Sequence, residues 1–194
     1  MPSEHEPCRT DVRQPGPACR TGSGRDRGRG PGRGDPCPAT FLDGRRRHVL
    51  GILDGLGPDD LRRPVLPSGW TCPGLVQHLA LDVERFWFRA VLTGDEAVRR
   101  DLAGTGDAWQ VDPGVPVADV LERYRAETRL ADEAVRARTA DTPLAWWPHD
   151  LFGAPHLHTL RDVLLHVITE TACHAGHLEA AREFVDGRRW LVPT

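Results

Sequence analysis

The sequence predicts an all-α protein built as a four-helix bundle, and three observations carry that prediction. Apolar residues recur at helical spacing in four long segments, and none of them alternates as a strand would. Capping and breaking residues stand where those segments begin and end. The chain has 194 residues, enough for one domain with a sizeable core.

The elements follow in order. Residues 1–38 are rich in Arg, Gly and Pro, with almost nothing to bury. Such a segment does not repay its ordering entropy, so it is read as a disordered N-terminal extension. Asp11, Asp26 and Asp35 dilute its arginines, which argues against a nucleic-acid tail. Residues 39–190 are read as the bundle. Thr40 with Asp43 resembles a capping box at the start of the first helix. Its stripe is Leu42, Val49, Leu50, Leu53 and Leu56, and Gly57-Pro58 stops it. The second helix opens with Thr71 as N-cap and Pro73 in its first turn. Leu75, Val76, Leu79, Val83, Trp87 and Val91 form its stripe, and Gly94 is its C-terminal cap. The third begins at Pro116 and carries Val117, Val120, Leu121, Tyr124, Ala131 and Val135. In the fourth, Thr159 and Asp162 make a capping box and Gly187 ends the run. Arg161 in its first turn opposes the helix dipole, so a partner for it is expected. A 20-residue helix spans about 30 Å. The linker between helices two and three is long enough to run back along the bundle, so those two helices are expected to be parallel, with a long crossover between them.

Composition excludes several classes. Net charge is −3, so no global field favours nucleic acid or an anionic membrane. All 25 basic residues are arginine. No apolar run approaches the ~20 residues of a membrane span, and no apolar leader stands at the N-terminus. The five cysteines show no CxxC spacing, so neither a disulfide framework nor a zinc knuckle is indicated and a cytoplasmic protein is expected. Trp87, Phe88 and Trp146, read as exposed, would suit a homodimer.

The chemistry concentrates in His166-Val-Ile-Thr-Glu170-Thr-Ala-Cys-His174-Ala-Gly-His177. At about 100° per residue, with Glu170 at zero, His166 falls near −40°, His174 near +40° and His177 near −20°, a stripe about 80° wide. Imidazole and carboxylate are ligands for zinc, nickel, manganese or iron. Glu170 and His174, at i and i+4, project side by side and can reach one ion. A third ligand from another helix would leave open positions, the arrangement of catalytic metals. His78 on helix two is available, with Asp82 as a partner that orients it. The bland alternatives are a buried Glu–His pair and a core histidine. His48, in an arginine cluster, reads as solvent-facing. His149, His156 and His158 read as a solvated loop, and Cys173 as a small core residue.

Three passages carry a resemblance: PSGWTCPGLVQHLALDVERFWFRAVLTGD (67–95), LERYRAE (121–127) and TLRDVLLHVITETACHAGHLEAAREFVDG (159–187). On these the chain resembles the DinB-like superfamily, and within it the mini-circle protein group, related to mycothiol-dependent metalloenzymes. The resemblance implies a bundle of up-down-down-up topology. It also implies a divalent metal held by His78, Glu170 and His174, with Glu170 matching the mycothiol-dependent isomerase branch. His177 and His166 are then candidate proton carriers, and Arg85 and Arg161 candidate holders of substrate carboxylates. The segment 80–84 is one residue longer than the resemblance leads one to expect. In an α-helix that residue turns everything downstream by about 100°, so Glu84 is not assigned to the metal.

The function expected is that of a metal-dependent enzyme acting with a small-molecule thiol such as mycothiol, by S-transfer or thiol-dependent isomerisation. A thiol-independent metal-dependent hydrolase or isomerase is one alternative, and a non-catalytic stress-related binding module another. The expected partner is a small molecule, not a membrane or nucleic acid.

Overall fold

Thr71 accepts a hydrogen bond from the Gly74 backbone N–H and opens the element that carries the first candidate ligand. That element, α3, spans Cys72–His78 and continues without a break into a π-wound segment, Leu79–Leu92. The remaining elements are α1 (Pro38–Leu53), α2 (Pro58–Arg62), α4 (Glu96–Asp101), α5 (Val117–Arg136), α6 (His149–Phe152) and α7 (Leu160–Asp186). This is a computed structural model, and it describes residues 38–102, 104 and 106–189. The extension expected over residues 1–38 lies outside the described residues except for Pro38, which belongs to α1.

The protein is all-α: among the described residues there is no strand, only an isolated bridge between Pro143 and Thr159. No helix among them is long and apolar enough to cross a membrane. α1 lies along α7, α5 along α3 and the π segment, and α7 also meets the π segment. The core joins Leu42, Val49 and Ile52 of α1 to Leu75, Phe88, Tyr124 and Leu178. The second-helix stripe predicted from Leu75 to Val91 is buried throughout. Asp162 and Thr159 complete the predicted capping box of α7. Gly187 closes that helix in the left-handed region at φ 75°, where a side chain would be strained.

Several expectations are corrected. α1 starts at Pro38, so Thr40 lies within it and does not cap it, and Asp43 turns to Arg46 instead. The helix ends at Leu53, and Gly57-Pro58 begins α2 rather than ending α1. The linkers hold three short helices, α2, α4 and α6, which were not expected. Trp87 and Phe88 are buried, and Trp146 is partly buried against the core, so they do not form an exposed dimer face. Cys173 is exposed, because it points to the outer side of α7. His48 is buried between α1 and α7, its Nε2 2.7 Å from Glu179 Oε1. Its apolar neighbours Val49 and Ile52 carry that face of the helix inward, whatever the charge of Arg45–Arg47.

A buried polar knot joins three elements. Arg46 gives two hydrogen bonds to Glu84, at 2.7 and 2.6 Å, and one each to Asp132 and Asp43, at 2.6 and 3.1 Å. Burial pulls the Arg46 pKa down, but Glu84 and Asp132 more than offset it and hold it above its ordinary value. Burial pushes the Glu84 carboxyl above its usual range, against the pull of Arg46. Arg182 ties α7 to α1 in a similar way, donating to the carbonyls of Ile52 and Asp54 at 2.5 and 2.8 Å. It occupies the orphan carbonyls at the end of α1.

Candidate metal centre

His78 is the last residue of α3, where the winding widens. Its Nδ1 lies 2.9 Å from Asp82 Oδ2. The carboxylate can only accept, so Nδ1–H donates to it and the Nε2 lone pair is left for another partner. The extra residue in 80–84 is accommodated within this i→i+5 winding, a geometry that tends to occur at functional sites. Glu84 ends up buried against Arg46 and is not part of the cluster.

Glu170 and His174 stand one turn apart on α7, with Nε2 of His174 3.4 Å from Glu170 Oε2. One ligand atom from each of His78, Glu170 and His174 lies within 4.8 Å of the others. The side chains of His78 and His174 are 16 % and 12 % exposed and that of Glu170 39 %, so the cluster is half-buried with the carboxylate toward solvent. Burial, and then the nearby His78, lower the pKa of His174, which keeps its ring neutral near pH 7. His177 Nδ1 lies 3.4 Å from His174 Nδ1. A His174 proton on Nδ1, shared with His177, would leave the Nε2 lone pair for an ion beside Glu170.

The residues therefore fit a divalent ion. The donor set is two imidazoles and a carboxylate, and both rings have their Nδ1 sides engaged. Three protein ligands leave coordination positions open for substrate.

The other sequence candidates fall around this centre or away from it. His166, one turn before Glu170, packs edge-on to Trp87 at 4.5 Å. Burial lowers its pKa, so it too is neutral near pH 7. Arg85 is bound to Asp101 at 2.5 Å, and Arg161 to Asp141 at 3.1 Å. That pairing supplies the partner expected for Arg161, and it leaves Arg161 near the first turn of α7, over two turns from Glu170. His149, His156 and His158 are exposed, as expected.

Sequence reasoning missed the aromatic walls. Trp109 stacks on His78, its ring centroid 4.4 Å away and 18° from parallel. It also meets the edge of His174 at 5.6 Å. Beyond His177 stands Trp70, at 6.5 Å. The available signal for Trp109 was a large apolar residue in a linker rich in Gly, Asp and Pro.

Fold and site together define an all-helical protein with a three-residue group, His78, Glu170 and His174, able to hold a metal ion. The family model described as mycothiol-S-transferase matches residues 38–187, and the chain belongs to that family. No curated protein and no solved structure matches it.

Proposed function

We propose that the protein is a metal-dependent transferase that joins a small-molecule thiol, mycothiol or one like it, to an electrophilic substrate. The observation that carries this reading is the meeting of three ligand atoms from two separate elements within 4.8 Å, in a chain of the mycothiol-S-transferase family. His78 and His174 would hold a divalent ion through Nε2, and Glu170 through its carboxylate. When bound, that ion supplies the positive charge that lowers a thiol's pKa toward neutrality.

The chain's own residues supply the rest. Asp82 and His177 orient the two imidazoles. His166 is the better placed of the two candidate proton acceptors. It is neutral, whereas the Nδ1 of His177 faces His174. Arg85 and Arg161 already have carboxylate partners, so holding a substrate carboxylate would require an exchange of partners. In the same reading the bundle is up-down-down-up. Supporting this, His48 meets Glu179 while Arg182 meets Ile52, so contacts advance in the same direction along α1 and α7. A cytoplasmic location belongs to this reading.

The test is turnover by the metal-loaded protein with mycothiol and an alkylating electrophile, followed by mass spectrometry. A thiol adduct formed by the wild type and lost in His174→Ala is expected. Product formed equally without thiol would move the protein to the hydrolase or isomerase class. Failure of the purified protein to bind any divalent metal would sink the reading.

A further inference from the structure

We infer that Trp109 is a positioning residue for the metal centre, holding the His78 imidazole in the one orientation that presents Nε2 to the ion. The inference rests on the metal reading above and assigns a role to a linker residue outside the three ligands.

A histidine ligand at the end of a helix has two side-chain torsions to fix. The Asp82 hydrogen bond restrains one point of the ring, its Nδ1, at 2.9 Å. A single hydrogen bond still lets the ring swing about that contact. The Trp109 indole, stacked at 4.4 Å, covers one face of the ring and removes that freedom. His174 meets the imidazole from the side, centroids 4.9 Å apart and planes 75° apart. Trp109 touches both histidines and therefore sets them relative to each other.

The stack is built into the fold by α3 itself. Gln77, next to His78, donates from Nε2 to the carbonyls of Ala108 and Gln110, at 2.9 and 3.1 Å. These two bonds straddle Trp109 and fasten its backbone to the helix that carries the ligand. Asp107 turns the linker by accepting from the Trp109 N–H at 2.9 Å. One turn earlier on α3, Gly74 makes room: a Cβ there would lie 2.2 Å from the Trp109 carbonyl oxygen. Only glycine admits the linker at that distance. Gly74, Gln77 and His78 thus form one face of α3 that receives Trp109 and its neighbours. The indole also closes that side of the centre, leaving approach past the exposed carboxylate of Glu170.

The test uses the full-length protein, zinc(II) as ligand and a competing chromophoric chelator to read affinity. Trp109→Ala is expected to bind zinc about 10-fold more weakly, the lower end of what loss of an outer partner of a metal ligand costs. Trp109→Phe keeps a flat ring and should stay within about 3-fold of wild type, which a merely space-filling role for the indole would not predict. Gly74→Ala keeps the indole in the chain but pushes the backbone that carries it away from α3, and should weaken zinc binding as Trp109→Ala does. Circular dichroism confirms that each variant folds. Cobalt(II) gives a second readout: it should quench part of the tryptophan emission at one equivalent, and Trp109→Phe should lack that part. Wild-type zinc affinity in both Trp109→Ala and Gly74→Ala, or unchanged quenching in Trp109→Phe, overturns the inference and leaves the metal reading intact. If the wild type binds no zinc or cobalt, the metal reading fails. The proton resonances of His78 then decide the positional claim alone: an upfield ring-current shift lost in Trp109→Ala supports it, and no change overturns it.

Discussion

The continuous helix from Cys72 to Leu92 carries two ionisable groups that meet opposite fates. Glu84 is buried and given its cation by the chain itself: Arg46 takes both of its oxygens, and Asp132 and Asp43 occupy the rest of the guanidinium. His78, six positions earlier, meets Asp82 at Nδ1, and Glu170 and His174 in the same cluster. The first group is electrostatically closed. The second is a set of lone pairs brought together with no lysine or arginine among the three members of the group. Assembling acceptors without a cation is unfavourable, which is why a closed knot reads as architecture and an open cluster as a binding site.

That contrast can be broken at its closed end first. Arg46→Ala leaves the buried Glu84 carboxylate without its cation and should cost about 3–5 kcal/mol in urea unfolding, whereas Glu84→Ala leaves Arg46 its bonds to Asp132 and Asp43 and should cost less. The double replacement Arg46→Met with Glu84→Leu should recover most of the loss. If the single variants are harmless, the knot is not the structural half of the pair. At the open end the sign reverses. His78→Ala or Glu170→Gln should leave the metal-free fold close to wild type, but should remove the stabilisation that saturating zinc gives the wild type. That stabilisation is about 2.7 kcal/mol at 100 times the dissociation constant, read as a shift in melting temperature that EDTA reverses.

A smaller effect sharpens the comparison. Asp82→Asn keeps the shape but weakens the hold on the His78 Nδ1 proton, and should lower zinc affinity about 10-fold by chelator competition. The same change should barely alter urea stability, since Asp82 is half exposed. The smallest expected effect is on pH. Burial lowers the folded-state pKa of both His174 and His166 from 6.5. The unfolded chain therefore takes up protons first as pH falls. Metal-free stability should be full above pH 6.5, then decline as pH drops through 6.5 toward the folded values. His174→Gln should flatten that decline, while the Arg46 variants should keep its slope.

The sequence by itself determined the start of the second helix and both ends of the fourth. Thr71, Thr159 with Asp162 and Gly187 act through hydrogen bonds and torsions within a few residues, so their effects are written locally. It also determined that Glu170 and His174 share a face, because i, i+4 spacing fixes that whatever surrounds the helix. The DinB-like resemblance added His78 as the third member, and the family match over residues 38–187 agrees with that resemblance. Tertiary structure alone decided what lies between elements. The arginine cluster near His48 looked like a solvated face, but packing turned His48 toward Glu179 of α7 and Arg46 toward Glu84 and Asp132. Trp87 and Phe88 looked available for a partner, and the core of the same chain took them. Trp109 had no helical period to place it, and only the docking of its linker on Gly74 and Gln77 brought it over His78. The physical reason is common to all of these. Periodicity fixes the face a residue occupies on its own helix. Which faces meet, and which charges then find partners, depends on how the helices pack and how the linkers between them dock.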